Sequence, residues 1–432
     1  MRLKSLLSAL ILLPLTLFAE GIDFDKTFSD STLRLDYTFC GNSRQQMVGL
    51  KNKMLTAQWA GRRHNLDTVP VQGNGVLTMT DKVQNRVIYE TSFSSLFQEW
   101  LTTEEAAVST ISMEHTILVP MPKSEVTIEI KLFDNKNGVM ACTTHPIDPK
   151  DILIVHLDSM KVTPHKYLHY SGDPNEKIDV AILGEGYRKE DMDSFYSHAE
   201  KTVSSILSHE PFKSMADRFN FVAVASESED SGVSSPSEES WKSTCFKSHY
   251  DTFYAKRYLT TAFTSLIHDE LIGIPYEHII ILANTDQYGG GGIYNSYTLT
   301  TAMHKNFFYV APHEFGHSFG ALADEYWYDD GDVLDATYDL SVEPWEQNIT
   351  TLVDFDSKWA DMISEDTPTP TPATDENEGI VGLYEGGGYR AHGIYRPINH
   401  CRMRDYKSDS FCPVCQRAIA RMIKFYTEKE AK

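Results

Sequence analysis

The stretch His313-Glu314-Phe315-Gly316-His317 decides how this 432-residue chain is interpreted. Two histidines four positions apart share one face of an α-helix, about 5.4 Å apart along its axis. Both imidazoles can therefore reach a single zinc ion at about 2.0–2.1 Å. Glu314 is then positioned to take a proton from a water molecule bound to that metal. Such a pattern can arise by chance on a charged helix, but the apolar, aromatic run at residues 305–312 indicates burial and favours a catalytic zinc site.

The first nineteen residues are typical of a secretory signal peptide. Arg2 and Lys4 precede an apolar run at residues 6–18, which is too short for a membrane anchor. Cleavage is expected after Ala19, although Leu17 is larger than the residue usually found two positions earlier. No later apolar run is long enough to span a bilayer. The sequence therefore predicts an exported protein, periplasmic or extracellular.

The composition is that of a folded globular protein. With 432 residues, 41% of them hydrophobic, the chain can form two domains with full cores. Its formal charge of −22 argues against nucleic acid or an anionic membrane as a partner, because like charges repel. We expect a soluble monomer with neither kind of partner.

Six cysteines in an exported chain favour disulfides. Cys40 and Cys142 are the two in the first third of the chain and form the simplest pair. The other four allow three pairings, among which the sequence does not choose: Cys245, Cys401, Cys412 and Cys415. Cys412-Pro-Val-Cys415 could instead hold a second metal ion. A redox role is disfavoured, because the surrounding sequence lacks a thioredoxin-type pattern.

The character of the chain changes at Ile178. Before it, short alternating runs such as residues 125–132 are separated by turns, which predicts a β-sandwich with a structural or substrate-positioning role. From there, a buried strand at residues 178–183, a helix at 190–207 and a strand at 219–225 predict a parallel strand–helix–strand unit.

Further elements are predicted on either side of the histidine helix. A helix at residues 259–271 precedes a strand at 278–283. The glycine-rich residues 288–295 suit an edge strand to which a substrate peptide could add, or alternatively a flexible surface loop. The acidic residues 329–332 resemble a calcium-binding turn but lack the spacing of an EF-hand, so a solvated turn is favoured. A final helix is expected at residues 412–426.

Several motifs together resemble those of the igalysins, the immunoglobulin A peptidase family of zinc metallopeptidases. They are the His-Glu-Phe-Gly-His helix, Gly-Ala-Leu-Ala-Asp-Glu-Tyr at 320–326, Gly-Gly-Gly-Ile-Tyr-Asn at 290–295, Tyr-Glu-Gly-Gly-Gly-Tyr at 384–389, Tyr-Arg-Pro at 395–397 and Phe-Cys-Pro-Val-Cys at 411–415. The similarity runs from about residue 178 to 421. The preceding region resembles the β-rich N-terminal domain of Bacteroides-type members.

The resemblance implies a zincin fold, with a mixed sheet above the zinc helix and a smaller lower subdomain. It implies His313 and His317 as zinc ligands and Glu314 as the general base. Met403 would lie in a turn beneath the metal, as in metzincins.

The third zinc ligand does not follow from the spacing of the histidine pair. Metzincins place it three positions after the glycine, where this chain has Ala323, which cannot bind a metal. Asp324 is one position further on, and an extra residue in the turn after Gly320 could bring its carboxylate to the zinc. Asp324 is therefore our predicted third ligand. Three side chains remain alternatives: Glu385, Glu325 and His392.

The combined expectation is an α+β protein with three parts. Residues 1–19 form the signal peptide, residues 20–165 an N-terminal β-sandwich, and residues 166–432 a zincin, metzincin-like α/β catalytic domain. The expected function is zinc-dependent hydrolysis of peptide bonds in extracellular or host proteins.

A tyrosine or an arginine near the site could stabilise the developing oxyanion, with Tyr326 and Tyr389 as the named candidates. The rival interpretation is a non-catalytic protein that binds a host protein or a glycan and carries a structural zinc. The presence of Glu314 disfavours it, because a structural site has no use for a base.

Overall fold

The computed structural model describes residues 21–157, 159–328, 337–405 and 408–429. The predicted signal peptide and the acidic turn at residues 329–332 lie outside these ranges. No helix in the described ranges has the length and apolar character needed to cross a membrane.

The N-terminal region is built almost entirely of strands. Its elements are α1 (Phe24–Thr27), β1 (Phe28–Gly41), β2 (Gln46–Ala57), β3 (Gly75–Asp81), β4 (Arg86–Phe93), α2 (Leu96–Trp100), β5 (Ile111–Pro122), β6 (Val126–Phe133), β7 (Val139–Ile147) and β8 (Val155–His156). They form two four-stranded sheets in the orders β5-β1-β2-β8 and β4-β3-β6-β7. The pairs are antiparallel except for β2 with β8.

Alternation of apolar and polar residues explains how these two sheets pack. Along β6 every second side chain is buried, as the sequence at residues 125–132 predicts. Leu35 of β1, Leu77 of β3 and Ile128 of β6 are fully buried in one core that both sheets share. The predicted β-rich N-terminal region is confirmed, and the shared core is the arrangement of a sandwich.

The C-terminal part mixes helices and strands. Its elements are β9 (His165–His169), β10 (Ile178–Glu185), α3 (Met192–Ile206), β11 (Phe219–Val224), α4 (Thr264–Glu270), β12 (His278–Ala283), β13 (Gly290–Ile293), β14 (Tyr297–Thr301), α5 (Phe307–Ser318), β15 (Tyr384–Gly387), β16 (Arg390–Arg396) and α6 (Pro413–Thr427). Six strands form one sheet in the order β13-β14-β12-β10-β11-β9, and β15 pairs with β16 in a separate hairpin.

This six-stranded sheet is covered on both faces. The central strands β10, β11, β12 and β14 run parallel, whereas the edge strands β9 and β13 run antiparallel to their neighbours. Val180 and Ile182 of β10 face a core shared with α3, α5 and α6, while Ala181 and Leu183 face a second core shared with α4. Cover on both faces explains why β10 is buried throughout. The predicted strand–helix–strand unit is confirmed.

One helix is shorter than the sequence predicts. The helix expected at residues 259–271 begins only at Thr264. Thr260 pairs with His249 as an isolated bridge, and the Thr261 hydroxyl accepts a hydrogen bond from the Phe263 amide. These local bonds offer the threonine segment an alternative to the helix.

The disulfide predicted between Cys40 and Cys142 does not form. All six cysteines are free in the described structure. Cys40 lies in β1 and Cys142 in β7, which belong to different sheets, and the Cys142 thiol contacts Glu129 instead.

Candidate metal centre

Helix α5 carries His313, Glu314 and His317 and lies against the edge of the sheet. Pro312 lacks an amide hydrogen, so the Phe308 carbonyl loses its bond within the helix; the Ser205 hydroxyl donates to that carbonyl at 2.5 Å instead. The sequence at residues 305–312 is compatible with a buried strand or with the start of a helix. In the structure it is the start of helix α5, which begins at Phe307.

The glycine-rich segment packs directly on this helix. It forms the antiparallel edge strand β13, which excludes the flexible-loop alternative. A Cβ at Gly292 would lie 2.2 Å from the Glu314 carbonyl oxygen and 2.8 Å from the His317 Cβ. Only glycine permits this approach of strand to helix. Gly290 also forms an isolated parallel bridge with Tyr258, so the outer side of the strand is partly paired.

Backbone carbonyls orient the two imidazoles. His313 donates from Nδ1 to the Arg402 carbonyl at 2.9 Å, and His317 donates from Nδ1 to the Leu322 carbonyl at 2.6 Å. Because Nδ1 is the donor in both rings, the two Nε2 atoms, which lie 3.1 Å apart, are the ones that can bind a metal once they carry no proton. Fixing the tautomer through the other ring nitrogen is how proteins prepare histidines for a metal ion.

Asp324 completes a cluster of three donor atoms. Its Oδ1 lies 3.1 Å from His313 Nε2 and 3.3 Å from His317 Nε2. Tyr389 donates to the other oxygen, Oδ2, at 2.6 Å, whereas the buried Oδ1 accepts no hydrogen bond from any described residue. Tetrahedral ligands at 2.0–2.1 Å from a metal are about 3.3 Å apart, so the three atoms can hold one ion. His313, His317 and Asp324 thus form a group of three side chains that could hold a metal ion.

The alternative third ligands lie outside this cluster. Glu325 accepts hydrogen bonds from Asn348 Nδ2 and the Cys415 thiol. Glu385 accepts from the Gly393 amide and lies 3.4 Å from His392 Nδ1. The His392 side chain is 72% exposed.

Burial and charge set the protonation of the site. Burial raises the pKa of the Glu314 carboxyl, so this group holds a proton more readily than an exposed glutamate. Burial opposes charge on His317, but the Asp324 carboxylate outweighs it and raises the pKa of His317 to about 9. Burial likewise opposes charge on Asp324, yet the two histidines hold its pKa well below the ordinary value.

The turn predicted around Met403 lies against helix α5. A Cβ at Gly316 would be 2.8 Å from Met403 Sδ, so glycine gives the methionine its place against the helix. The Met403 carbonyl accepts the Glu325 amide hydrogen at 2.9 Å, and the neighbouring Arg402 carbonyl orients His313. The turn therefore supports both the histidine pair and the segment that carries Asp324.

The three donor atoms and Glu314 line a cleft of about 1580 Å³ between the two parts of the chain. Residues of the N-terminal region, such as Glu99 and Lys136, form part of its wall. No described residue hydrogen-bonds to the Glu314 carboxylate, which is therefore available to a ligand in the cleft.

Two further cleft residues were not found from the sequence. Arg257 lies over the Tyr326 ring at 6.0 Å and donates to the Tyr328 hydroxyl. Tyr288 lies in the same cleft, directly before the glycine run, and burial raises its pKa to about 12. No local sequence pattern marks Arg257 as a cleft residue, because it is an arginine in a loop. The position of Tyr288 beside the glycine-rich strand is a pattern that could have identified it.

Two histidines and a carboxylate that converge beside a second carboxylate form a donor set that could hold a divalent metal ion, which places the protein among candidate metalloenzymes. Comparison with known families gives the more specific assignment. The family model described as IgA Peptidase M64 matches residues 167–379 and 373–423, and the model described as Peptidase M64 N-terminus matches residues 23–143. The chain belongs to the M64 immunoglobulin A peptidase family, the igalysins, which are metallopeptidases. A search of curated proteins found no match.

Proposed function

We propose that this protein is an exported, zinc-dependent endopeptidase. The observation that carries the proposal is the spacing of 3.1–3.3 Å among His313 Nε2, His317 Nε2 and Asp324 Oδ1, in a cleft that Glu314 also lines. Nitrogen and oxygen donors with one position left open are typical of catalytic rather than structural zinc. In this proposal His313, His317 and Asp324 are the ligands.

The fold of the C-terminal part supports a zincin assignment. The helix that carries the histidine pair packs against an antiparallel edge strand of a mixed sheet, and a methionine-containing turn lies on its other side. We assign residues 166–432 to this metzincin-like catalytic domain and residues 20–165 to the β-sandwich domain. Residues 1–19 remain the proposed signal peptide.

The proposed reaction uses the side chains of this site in distinct roles. A zinc ion bound there would polarise the scissile carbonyl and lower the pKa of a nucleophilic water. Glu314 accepts the proton from the attacking water and transfers it to the leaving amine. Its buried carboxyl suits this exchange, because a raised pKa brings proton uptake closer to neutral pH.

Tyr389 is a poor candidate for oxyanion stabilisation, because its hydroxyl already donates to Asp324. Tyr326, Tyr288 and Arg257 line the same cleft and are among the other donors on its wall. Arg257 is the one among them with a permanent positive charge, which suits it to a developing oxyanion.

A substrate segment is expected to run along β13. This strand is an edge of the sheet beside the candidate metal centre, so a peptide could add to it through main-chain hydrogen bonds. The bridge from Gly290 to Tyr258 limits the free edge to the strand's remaining length. The extended cleft fits a protein or peptide substrate.

The experiment that tests this function is a cleavage profile of a proteome-derived peptide library with the purified protein. Wild type loaded with zinc should cleave; the Glu314→Gln variant and chelator-treated wild type should not. Return of activity when zinc is restored would link cleavage to the metal. If zinc-loaded wild type cleaves nothing, the non-catalytic binding interpretation replaces the peptidase.

A further inference from the structure

A second cluster of metal-ligating side chains lies away from the cleft. It consists of Glu325, Cys401, Cys412 and Cys415, whose donor atoms all lie within 4.8 Å of one another. All four residues are buried, and Glu325, Cys401 and Cys415 have no exposed surface. We propose that these four side chains bind a second zinc ion, which is structural and braces the catalytic centre.

The distances suit tetrahedral zinc. The Sγ atoms of Cys401 and Cys415 are 3.7 Å apart, and Cys415 Sγ lies 3.1 Å from Glu325 Oε1. Thiolates at about 2.3 Å from zinc in a tetrahedron are about 3.8 Å apart. Four protein ligands with no access to solvent form a closed site, and closed sites are the structural class of zinc sites.

Backbone amides already point at the sulfur atoms. The amides of Met403 and Cys412 donate to Cys401 Sγ at 3.5 and 3.3 Å, and the Cys415 amide donates to Cys412 Sγ at 3.4 Å. Cys412 also caps the N-terminus of α6, where the helix dipole favours negative charge. These contacts stabilise thiolates, the form of cysteine that binds metal.

The Glu325 carboxylate provides an independent indication that this cluster binds a cation. Glu325 Oε2 is buried and accepts no hydrogen bond from any described residue. Leaving a buried carboxylate oxygen without a partner is costly, and a bound cation removes that cost. The positive charges of Arg396 and Arg404 also act on Glu325, which offsets the negative charge of a site with three thiolates.

A disulfide explains the cluster less well. Pairing any two of the three cysteines would leave the third as a buried thiol and would leave Glu325 Oε2 without a partner. A four-coordinate metal uses all four side chains. The odd number of cysteines therefore favours the metal.

The position of the cluster gives the second ion its role. Glu325 directly follows the catalytic ligand Asp324, and Cys401 precedes the Arg402 carbonyl that orients His313. Cys412 and Cys415 lie at the start of α6, which packs on the core beneath α5. A metal ion here would join the segment after the zinc helix, the methionine turn and the last helix.

Metal content and ligand identity test this proposal on the full chain. Elemental analysis should find two zinc ions per wild-type chain and one in His317→Ala. X-ray absorption at the zinc edge should detect sulfur at about 2.3 Å in both, because the catalytic centre contains no cysteine. Cys142→Ser removes an exposed cysteine outside the cluster and should keep both ions.

Each outcome has a defined meaning. Absence of sulfur from the zinc shell of wild type overturns the second site. So does a disulfide between two of the three cluster cysteines, detected by peptide mapping of the denatured, metal-free chain with its free thiols blocked. A wild type with one zinc that is sulfur-ligated and kept in His317→Ala would support this site and overturn the catalytic centre instead. The measurement on wild type stands even if a cysteine variant fails to fold.

Discussion

The Tyr389 hydroxyl donates a 2.6 Å hydrogen bond to Oδ2 of Asp324, while Oδ1 of the same carboxylate faces the two histidines. The turn between β15 and β16 carries this tyrosine. The Gly388 amide donates to the Asp324 carbonyl and the Tyr389 amide to the Tyr326 carbonyl. These three hydrogen bonds, with a fourth from the Tyr328 amide to the Tyr389 carbonyl, dock the hairpin on the segment after helix α5 and set the orientation of the carboxylate.

Replacing this tyrosine should weaken metal binding without removing a ligand. Tyr389→Phe deletes the hydrogen bond that orients Asp324, and loss of such a partner typically lowers metal affinity by about 10- to 100-fold. Competition with a chromophoric chelator measures the change. Tyr395→Phe is the matched control, because Tyr395 lies in the same hairpin and its hydroxyl makes no hydrogen bond to a described residue. Equal affinities in the two variants would contradict this role of Tyr389.

Local patterns predicted the helix, the histidine pair and its base, because i and i+4 spacing on a helix is set by the chain itself. The orienting carbonyl of Leu322 lies in the same local segment, but that of Arg402 lies 89 residues from His313. Tyr389 lies 65 residues from Asp324. Contacts over such separations depend on how the sheet, the hairpin and the methionine turn assemble, which no short pattern encodes.

Dependence on the assembled fold also explains why the cysteine pairing predicted from the sequence is wrong. Cys40 and Cys142 are predicted to pair because they are the two cysteines in the first third of the chain, yet their strands lie in separate sheets. The motif Cys412-Pro-Val-Cys415 did suggest a second metal. Its partners Cys401 and Glu325 could not be identified, because the fold alone brings them to the start of the last helix.

The third-ligand prediction is tested by a pair of carboxylate variants. Asp324→Ala should empty the candidate catalytic centre, since two histidines alone bind zinc weakly. Glu385→Ala should retain the metal, because Glu385 lies outside the donor cluster and accepts from the Gly393 amide. Zinc analysis after dialysis against a mild chelator compares the two. Loss of the metal from Glu385→Ala alone would reverse the assignment.

The buried guanidinium of Arg34 should contribute to stability. It pairs with the buried Asp36 in the same strand, β1, at 2.8 Å, and with the half-exposed Asp269 of α4, in the C-terminal part, at 2.6 Å. Removing one partner of a buried pair leaves uncompensated charge and costs roughly 3–5 kcal/mol. Arg34→Met should therefore lower the midpoint of urea denaturation clearly.

The control for this pair is an exposed one. Lys166 and Glu200 form a surface ion pair at 3.1 Å, and such pairs contribute roughly 0–1 kcal/mol. Lys166→Met should barely move the midpoint. Similar shifts in the two variants would show that the Arg34 contacts do not hold the two parts together.

Glu314 should be essential for turnover but not for metal binding. Glu314→Gln keeps the shape of the side chain and removes the base, which should lower kcat by about 10²- to 10⁴-fold while the zinc content stays unchanged. Because burial raises the pKa of Glu314, wild-type kcat/KM should fall as pH decreases through a value above that of an ordinary glutamate. Unchanged kcat in the glutamine variant would exclude Glu314 as the base.

Zinc binding to the metal-free protein should release a proton from His317. The Asp324 carboxylate raises the pKa of this histidine to about 9, above the ordinary value of about 6.5, so the metal-free ring is protonated at pH 7. Zinc needs the neutral ring, so binding near pH 7 should release about one proton from this residue, and affinity should rise with pH until about 9.

Calorimetric titration of zinc into protein that has lost only the ion at the histidine site, in buffers with different ionisation enthalpies, measures that proton. The binding enthalpy should depend on the buffer at pH 7 and lose most of this dependence above pH 9, where the ring is already neutral. Glu385→Ala should behave like wild type, because its carboxylate lies outside the donor cluster. The raised pKa of His317 also affects the stability of the metal-free protein. The stabilisation from the charged pair of His317 and Asp324 is fully present below pH 6.5 and is lost as pH rises through 9. A binding enthalpy independent of buffer at pH 7 would show that His317 is already neutral in the metal-free protein and that the Asp324 carboxylate does not hold a proton on it.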